Sequence, residues 1–317
     1  MKLRRRDFLL FLTLVSAAAE PAFGQLKPID GPASPGSNQI SGSIPDLSGA
    51  WGHNFLLFEP PSAGSGPIVT KLHTPAGTLM FNAVGDYTNP ILKPEAAEVV
   101  KRSAEKELSG AAIPNPHNQC WPEPTPFTLN IQFGVKIIQQ KDEVVLINLT
   151  NQVRRVRLNV PHSPRPTPTW QGESVGHYEG DTLIVDTVGQ QVGPISMIDR
   201  FGTPFSAALH VIERYRLIDG KLAQDLQQKH IRNNYFLRES PYRNPYGMGD
   251  IDPDTMKPGL QVEITVDDPV MFTTPWSGYV TYRPVLGFWP EAICAENTQG
   301  SGSSWVVIVP RADKPDF

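Results

Sequence analysis

The sequence predicts a mainly β protein whose strands form an antiparallel, up-and-down β-barrel with long Pro-rich loops and one or two surface helices. Two observations support this fold class. The chain has 32 prolines and 26 glycines among 317 residues, which suits short strands joined by turns. Most strand-like segments also follow one another across tight turns, and closing such a meander into a barrel hides both of its edges. A two-sheet sandwich is the structural alternative.

The start of the chain has the pattern of an export signal. Arg4 to Arg6 form a positive start, 8–19 is an apolar run too short for a membrane span, and 22–24 is a small-residue cleavage site. The run Arg5-Arg6-Asp7-Phe8-Leu9 resembles a twin-arginine export signal, and an ordinary Arg-rich secretion signal is the alternative. We therefore expect a periplasmic or secreted protein with a signal peptide at 1–24, a flexible lead-in at 25–44 and a single β-barrel domain at 45–317.

One surface helix is predicted at Pro94–Leu108. Proline suits the first turn of a helix and Gly110 suits its end. Charged residues recur three and four positions apart, and the apolar residues form one narrow stripe. Residues 55–90 are predicted to be irregular because prolines and glycines interrupt them closely.

Strands are predicted where apolar and polar residues alternate between turn residues. The Asp219-Gly220 step is interpreted as a hairpin turn, because Asp-Gly is a strong short-range hairpin signal. The predicted strands span 134–140, 143–150, 153–160, 173–178, 182–188, 208–218, 221–231, 261–267, 277–283 and 304–309.

The stretch Trp170–Thr187 is the richest in titratable and aromatic side chains. His177 lies near Glu173 and Glu179, so it is a candidate general base close to neutral pH. The alternative is an outward histidine that hydrogen-bonds a turn. A metal held by His177 and Glu179, with His162 as a third ligand, is a weaker hypothesis that we do not adopt.

Strand phase predicts one charged pair inside the barrel. Glu213 alternates in phase with apolar residues of 208–218, and Arg154 shares its phase with Val156 and Leu158. An unpaired buried charge costs several kcal/mol, so the two side chains are expected to pair. The alternative places both near strand ends, in contact with solvent.

The chain contains 2 cysteines, Cys120 and Cys294. In an oxidising compartment an isolated pair is expected to form a disulfide. Such a bond would close a long loop, which stabilises the fold by roughly 4–5 kcal/mol in the loop-entropy model.

Several function classes are disfavoured. A net charge of −4 argues against a nucleic-acid partner. Phosphate-binding loops, dinucleotide fingerprints and Cys-x-x-Cys motifs are missing from the sequence, so no cofactor is predicted. Gly172-Glu173-Ser174-Val175-Gly176 matches the nucleophile-elbow pattern, but a strand-turn-strand context is wrong for that nucleophile.

Several runs resemble a group of secreted bacterial proteins of undefined activity with a lipocalin- or calycin-like character. The runs are Asp46-Leu47-Ser48-Gly49-x-Trp51, Trp170-x-Gly172-x-Ser174-x-Gly176-x-Tyr178-Glu179-Gly180-Asp181-Thr182-Leu183, Leu209-His210-Val211-x-Glu213-Arg214-Tyr215, Asp268-Pro269, Pro275-Trp276 and Cys294-x-Glu296-Asn297. The Gly49-x-Trp51 pair is similar to the opening of lipocalins, where the Trp closes one end of the barrel. The resemblance implies a shared fold and a site near the Trp170 hairpin and Glu213, but no reaction. Some relatives have His where this chain has Phe205.

The leading hypothesis is a periplasmic barrel whose cavity holds a small apolar or aromatic molecule. One version adds acid–base chemistry of the isomerase, hydratase or lyase type without a cofactor, through His177, Glu213 and Glu179. A second version only binds or transports the ligand, and a third possibility is an envelope structural protein. The candidate ligand-binding residues are Arg154, Trp170, Glu173, Tyr178, Arg214, Tyr215 and Trp276.

Overall fold

The structure is a computed structural model that describes residues 44–53, 57–73, 83–111, 113–130, 134–148, 152–233 and 251–287. The described residues fall within one contact unit, Ile40–Phe317. The strands are β1 (Gly49–Gly52), β2 (Thr70–His73), β3 (Ala83–Gly85), β4 (Val135–Gln139), β5 (Glu143–Asn148), β6 (Val153–Leu158), β7 (Glu173–Glu179), β8 (Thr182–Val188), β9 (His210–Ile218), β10 (Gly259–Asp267) and β11 (Trp276–Pro284). The helices are α1 (Pro94–Leu108), α2 (Phe127–Asn130) and α3 (Gly220–Asn233).

Nine of these strands close into a barrel in the order β1-β11-β10-β9-β8-β7-β6-β5-β4, and β4 pairs with β1. The barrel is therefore confirmed. Every neighbouring pair is antiparallel except β6 and β7, which run parallel. The expectation of an entirely antiparallel barrel needs this correction. The reason is parity, because a closed ring with an odd number of strands cannot alternate direction throughout.

The 159–172 segment is the crossover connection between the parallel strands β6 and β7. Parallel neighbours cannot be joined by a tight hairpin and need a crossover connection. Here the crossover is the 159–172 segment, and the backbone N–H of Asn159 donates to the carbonyl oxygen of Gly176 at 2.8 Å. Pro-rich sequence at 161–168 suits a connection with few backbone hydrogen bonds of its own.

Helix α1 has the predicted bounds and lies on the surface, with Ala96, Val100 and Ala104 buried. Helix α3 corrects a prediction, since a strand was expected at 221–231. Asp219 caps the helix, because its Oδ1 accepts a hydrogen bond from the Leu222 N–H at 2.8 Å. Residues 221–230 contain mainly Leu, Ala, Gln and Lys, which favour helix over strand.

One buried hydrophobic cluster joins inward-facing residues of the barrel strands to residues of α1 and of the connecting segments. Trp51 of β1 is buried, and its Nε1 donates to the carbonyl oxygen of Leu47 at 2.8 Å. The short β2–β3 sheet lies in the region expected to be irregular. The largest fully buried side chains are Tyr215, Tyr282, Phe127, Leu47, Ile137, Leu183, Ile198, Leu209, Leu260 and Ile264.

Some predictions fall outside the described residues. They are the signal peptide at 1–24, nearly all of the lead-in at 25–44, the strand at 304–309 and Cys294 with its disulfide to Cys120. All of these stay predictions.

Candidate functional site

Five polar side chains form a cluster inside the barrel, with Arg154 at its centre. The Arg154 guanidinium binds both carboxylate oxygens of Glu213, with 3.0 Å between Nη1 and Oε1 and a second contact from Nη2 to Oε2. Its Nε donates to Ser174 Oγ at 2.9 Å, and Nη2 also donates to Thr187 Oγ1 at 2.7 Å. The Tyr215 hydroxyl donates to Glu213 Oε1 at 3.0 Å. The predicted pairing of Arg154 with Glu213 is confirmed.

Successive strands supply this cluster from their inward positions. Arg154 comes from β6, Ser174 from β7, Thr187 from β8, and Glu213 and Tyr215 from β9, and none of the five is more than 4% exposed. Burial by itself would lower the pKa of Arg154, but Glu213 outweighs it and the pKa is raised. Burial and the neighbouring Glu213 raise the pKa of Tyr215 well above its usual range. The donors of the cluster are therefore held in their protonated forms and directed at each other.

His177 and Glu179 lie on the outer face of β7. His177 Nε2 is 3.0 Å from Glu179 Oε1, and the His177 side chain is 51% exposed. Glu213 lies on the inner face, so the structure does not bring His177 and Glu213 into one site as expected. Alternation explains the separation, because Ser174 faces inward and His177, three residues later, must face outward.

An open groove of about 450 Å³ lies on the outer face of β7, β8 and β9, next to the crossover. Val175 and Ile184 form its floor and are each only 8% exposed, although they point away from the barrel interior. Val160 of the crossover forms a wall and is 42% exposed. The complete lining is Asn159, Val160, Val175, Gly176, His177, Ile184, Asp186, Ile212 and Arg214.

Two histidines meet one carboxylate at this groove. His162 of the crossover and His210 of β9 place their Nε2 atoms 3.0 Å and 2.8 Å from the same Oδ1 of Asp186. Glu173 lies behind His162, with 3.6 Å between Glu173 Oε1 and His162 Nδ1. Partial burial alone would raise the pKa of Asp186, but the hydrogen bonds from His210 and His162 lower it. The hydrogen bond to Asp186 raises the pKa of His210.

The remaining candidate ligand residues are dispersed. Arg214 lines the groove, and Glu173 accepts a hydrogen bond from the Ser163 N–H at 2.6 Å. The hydroxyl of Tyr178 accepts from Gln139 Nε2 at 2.6 Å. Two tryptophans pack against other aromatic rings: Trp170 lies 5.4 Å from Trp121, and the buried Trp276 lies 5.9 Å from Phe58 and 6.1 Å from Phe272. The expected aromatic cavity lining is therefore not gathered in one place.

Within the described part of the chain, no group of three His, Cys, Asp or Glu side chains is arranged to hold a metal ion. Its helices are also too short or too polar to cross a membrane. We compared the chain with protein-family models, curated proteins and solved structures. None of them matches it.

Sequence reasoning missed Asp186 and His210 as site residues. Both lie on outward positions of strands that were correctly placed, and the order of neighbouring strands sets them side by side. A signal was present, because Asp186 interrupts the apolar run Leu183-Ile184-Val185. His162 joins them only through the crossover, which could not be positioned without the parallel pairing of β6 and β7.

Proposed function

We propose that this protein binds a small, mainly apolar or aromatic molecule in the outer groove of β7, β8 and β9. The observation that carries the proposal is the groove itself, whose volume of about 450 Å³ lies within the range usual for small-molecule sites. Its floor is made of aliphatic side chains, while His177, Asp186 and Arg214 provide a few polar contacts. Such a mixture gives affinity through apolar burial and orientation through polar groups.

The interior cluster supports the outer location of the ligand. The Arg154 guanidinium binds both carboxylate oxygens of Glu213, and Ser174, Thr187 and Tyr215 form further hydrogen bonds with this pair. A ligand that entered there would have to replace contacts between buried charges, which is costly. The Arg154 cluster is therefore better suited to holding the strands together than to binding a guest.

Arg214 favours a ligand with an acceptor group. Among the described residues its side chain is in no ion pair, although Glu263 lies opposite it on β10. The neighbouring Arg216 instead donates to Gln261 Oε1 at 2.7 Å. A hydroxyl, carbonyl or carboxylate on the ligand could accept a hydrogen bond from Arg214 at the edge of the apolar floor.

Binding can be tested by isothermal titration calorimetry with a panel of small phenols, aromatic acids and aliphatic acids. Val160→Arg fills the groove wall and is expected to abolish binding. Val153→Arg is the matched control, because Val153 is a similarly exposed valine on β6 outside the groove lining. Arg214→Gln is expected to weaken binding of acceptor-bearing ligands about tenfold, the usual effect of one lost charged hydrogen bond, whereas Arg216→Gln is not. Equal binding by wild type and Val160→Arg would contradict the proposal.

The proposal includes export to the periplasm or the exterior and the kinship with the secreted, lipocalin-like group, both of which rest on sequence motifs. Replacement of Arg5 and Arg6 by Lys tests the twin-arginine signal, because that pathway reads the arginine pair. Cell fractionation should show the variant retained in the cytoplasm. Unchanged export would indicate an ordinary secretion signal.

A further inference from the structure

We propose that the outer groove is a proton-transfer site in which Nδ1 of His210, oriented by Asp186, takes a proton from a small apolar or aromatic carbon acid. The inference rests on the proposed binding function and adds a reaction class to it. It also moves the acid–base centre away from His177 and Glu213.

The hydrogen bond to Asp186 fixes which nitrogen of His210 is the base. A carboxylate accepts hydrogen bonds, so the Nε2 atom that lies 2.8 Å from Asp186 Oδ1 carries a proton. In the neutral ring the lone pair is then on Nδ1. With the described residues, Nδ1 of His210 forms no hydrogen bond, and the side chain is 39% exposed.

His162 has a different position from His210. One of its ring nitrogens, Nε2, lies 3.0 Å from Asp186 Oδ1, and the other, Nδ1, is 3.6 Å from Glu173 Oε1 but is buried and forms no hydrogen bond with the described residues. Glu173 in turn pairs with Arg157 of β6. His162 is therefore suited to holding Asp186 and the crossover in place, as a positioning residue, while Nδ1 of the more exposed His210 has no hydrogen bond to any described residue.

The groove is adjacent to this base. Asp186 and Ile212 belong to its lining, and His210 lies two residues before Ile212 on the same face of β9. The apolar floor limits access of competing water, and the Asp186 carboxylate stabilises the imidazolium that forms when His210 takes the proton. The other titratable groups facing His210 are Asp267, opposite it on β10, and His162, which shares Asp186 Oδ1 with it.

The chemistry needs no oxidant and no organic cofactor. The C–H bond of the substrate breaks, its proton goes to Nδ1 of His210, and its electron pair stays on the substrate. The pair then either expels a leaving group or is reprotonated at another atom, which gives an elimination or an isomerisation. The substrate class is thus a small molecule with an activated C–H bond and an apolar body.

The test uses 5-nitrobenzisoxazole, an apolar aromatic carbon acid of suitable size. A base removes its ring C–H proton, the electron pair forms a nitrile, and the N–O bond breaks to release a coloured phenolate. The wild-type protein is expected to give saturable turnover faster than the same concentration of free imidazole. His210→Gln should lower kcat about 10²-fold with little change in KM, which is the usual contribution of a positioned base.

Three variants separate the base from its surroundings. Asp186→Asn should shift the midpoint of the pH–rate profile to lower pH, because the carboxylate that raises the pKa of His210 is lost. His162→Gln should change the rate less than His210→Gln. His117→Gln, at a histidine that bonds Glu123 in the 113–124 segment, should leave the rate unchanged.

The outcomes distinguish this inference from the binding proposal. Saturable turnover that survives His210→Gln, or turnover no faster than free imidazole, overturns the proton-transfer role while leaving groove binding intact. Turnover that depends on His210 but is unaffected by Val160→Arg overturns the groove as the binding site and keeps His210 as the base.

Discussion

The polar residues on the two faces of strand β9 differ in burial and in hydrogen bonding. Inward positions carry Glu213 and Tyr215, which are fully buried and hydrogen-bonded within the Arg154 cluster. Outward positions carry His210 and Arg214, which are partly exposed and lie at or beside an open groove. Adjacent residues of β9 face opposite sides of the barrel wall, so a buried ion pair lies on one side and partly exposed polar groups beside the groove lie on the other.

This difference shows why buried charge alone is a poor guide to a binding site. The most deeply buried ion pair of the described residues lies in the interior, but its hydrogen bonds are directed at members of its own cluster. Among the described residues, Nδ1 of His210 forms no hydrogen bond and Arg214 is in no ion pair, and both side chains lie at or beside the groove. The candidate site is distinguished by polar groups that are accessible to a ligand, and not by how deeply its charges are buried.

The largest expected effect comes from breaking the interior pair on one side. Glu213→Gln leaves the buried Arg154 without its counter-charge, and such a change typically costs about 3–5 kcal/mol. Urea denaturation should therefore show a large loss in the free energy of unfolding. Glu143→Gln is the matched control, because Glu143 pairs with Arg155 on the outer face, 2.8 Å apart, and a surface pair contributes little.

A double variant sharpens the same comparison. Arg154→Met combined with Glu213→Leu removes both buried charges, so it should be more stable than Glu213→Gln alone. If Glu213→Gln and Glu143→Gln changed the unfolding midpoint equally, the buried ion pair inside the barrel and the exposed ion pair on its outer face would not differ as we describe.

The alternation of residues along the strands was enough to predict the Arg154–Glu213 pair, but not the site at the outer groove. Phase along 153–160 and 208–218 was enough to place Arg154 and Glu213 inside, because both strands were correctly located. To predict that His162, Asp186 and His210 come together, the order of strands around the ring and the path of the crossover had to be known. Neither follows from local pattern, since the ring includes β1, which was not among the predicted strands, and α3 replaces a segment that was.

The error at α3 has a local cause. Asp219-Gly220 was interpreted as a hairpin turn, but an Asp that begins a helix and an Asp that begins a turn use the same short side chain to bind a nearby N–H. The helix-favouring residues that follow decide between the two. Gly259 of β10 then accommodates the helix, because a Cβ there would come within 2.2 Å of the Ala223 Cβ.

A smaller effect is expected from the tyrosines on the inner faces of two strands. Tyr215→Phe removes a hydrogen bond to a buried carboxylate, which should cost about 1–2 kcal/mol in the free energy of unfolding. Tyr178→Phe is the comparison, because its hydroxyl contacts Gln139 in a half-buried position. Thermal and urea unfolding of both variants should rank Tyr215→Phe as the more destabilised. A reversed order would mean that the Arg154 cluster does not depend on the Tyr215 hydroxyl.

The smallest effect is a pH dependence that belongs to the outer face. The lowered pKa of Asp186 gives stability that is present above its usual value of 3.8 and is lost as pH falls through the lowered pKa. The raised pKa of His210 gives stability that is present below 6.5 and is lost as pH rises through the raised pKa. The stabilisation by the Asp186–His210 pair is therefore greatest between about pH 4 and 6.5, and solvent exposure limits it to about 0.5 kcal/mol.

Urea unfolding of wild type and Asp186→Asn should differ more at pH 5.5 than at pH 8.5. The inner cluster should add nothing to this profile through Arg154 or Tyr215, since their pKa values are raised away from that range. A difference that does not change with pH would show that Asp186 and His210 are held together by neutral hydrogen bonding alone, and the proposed general base would then lack the carboxylate support on which its basicity depends.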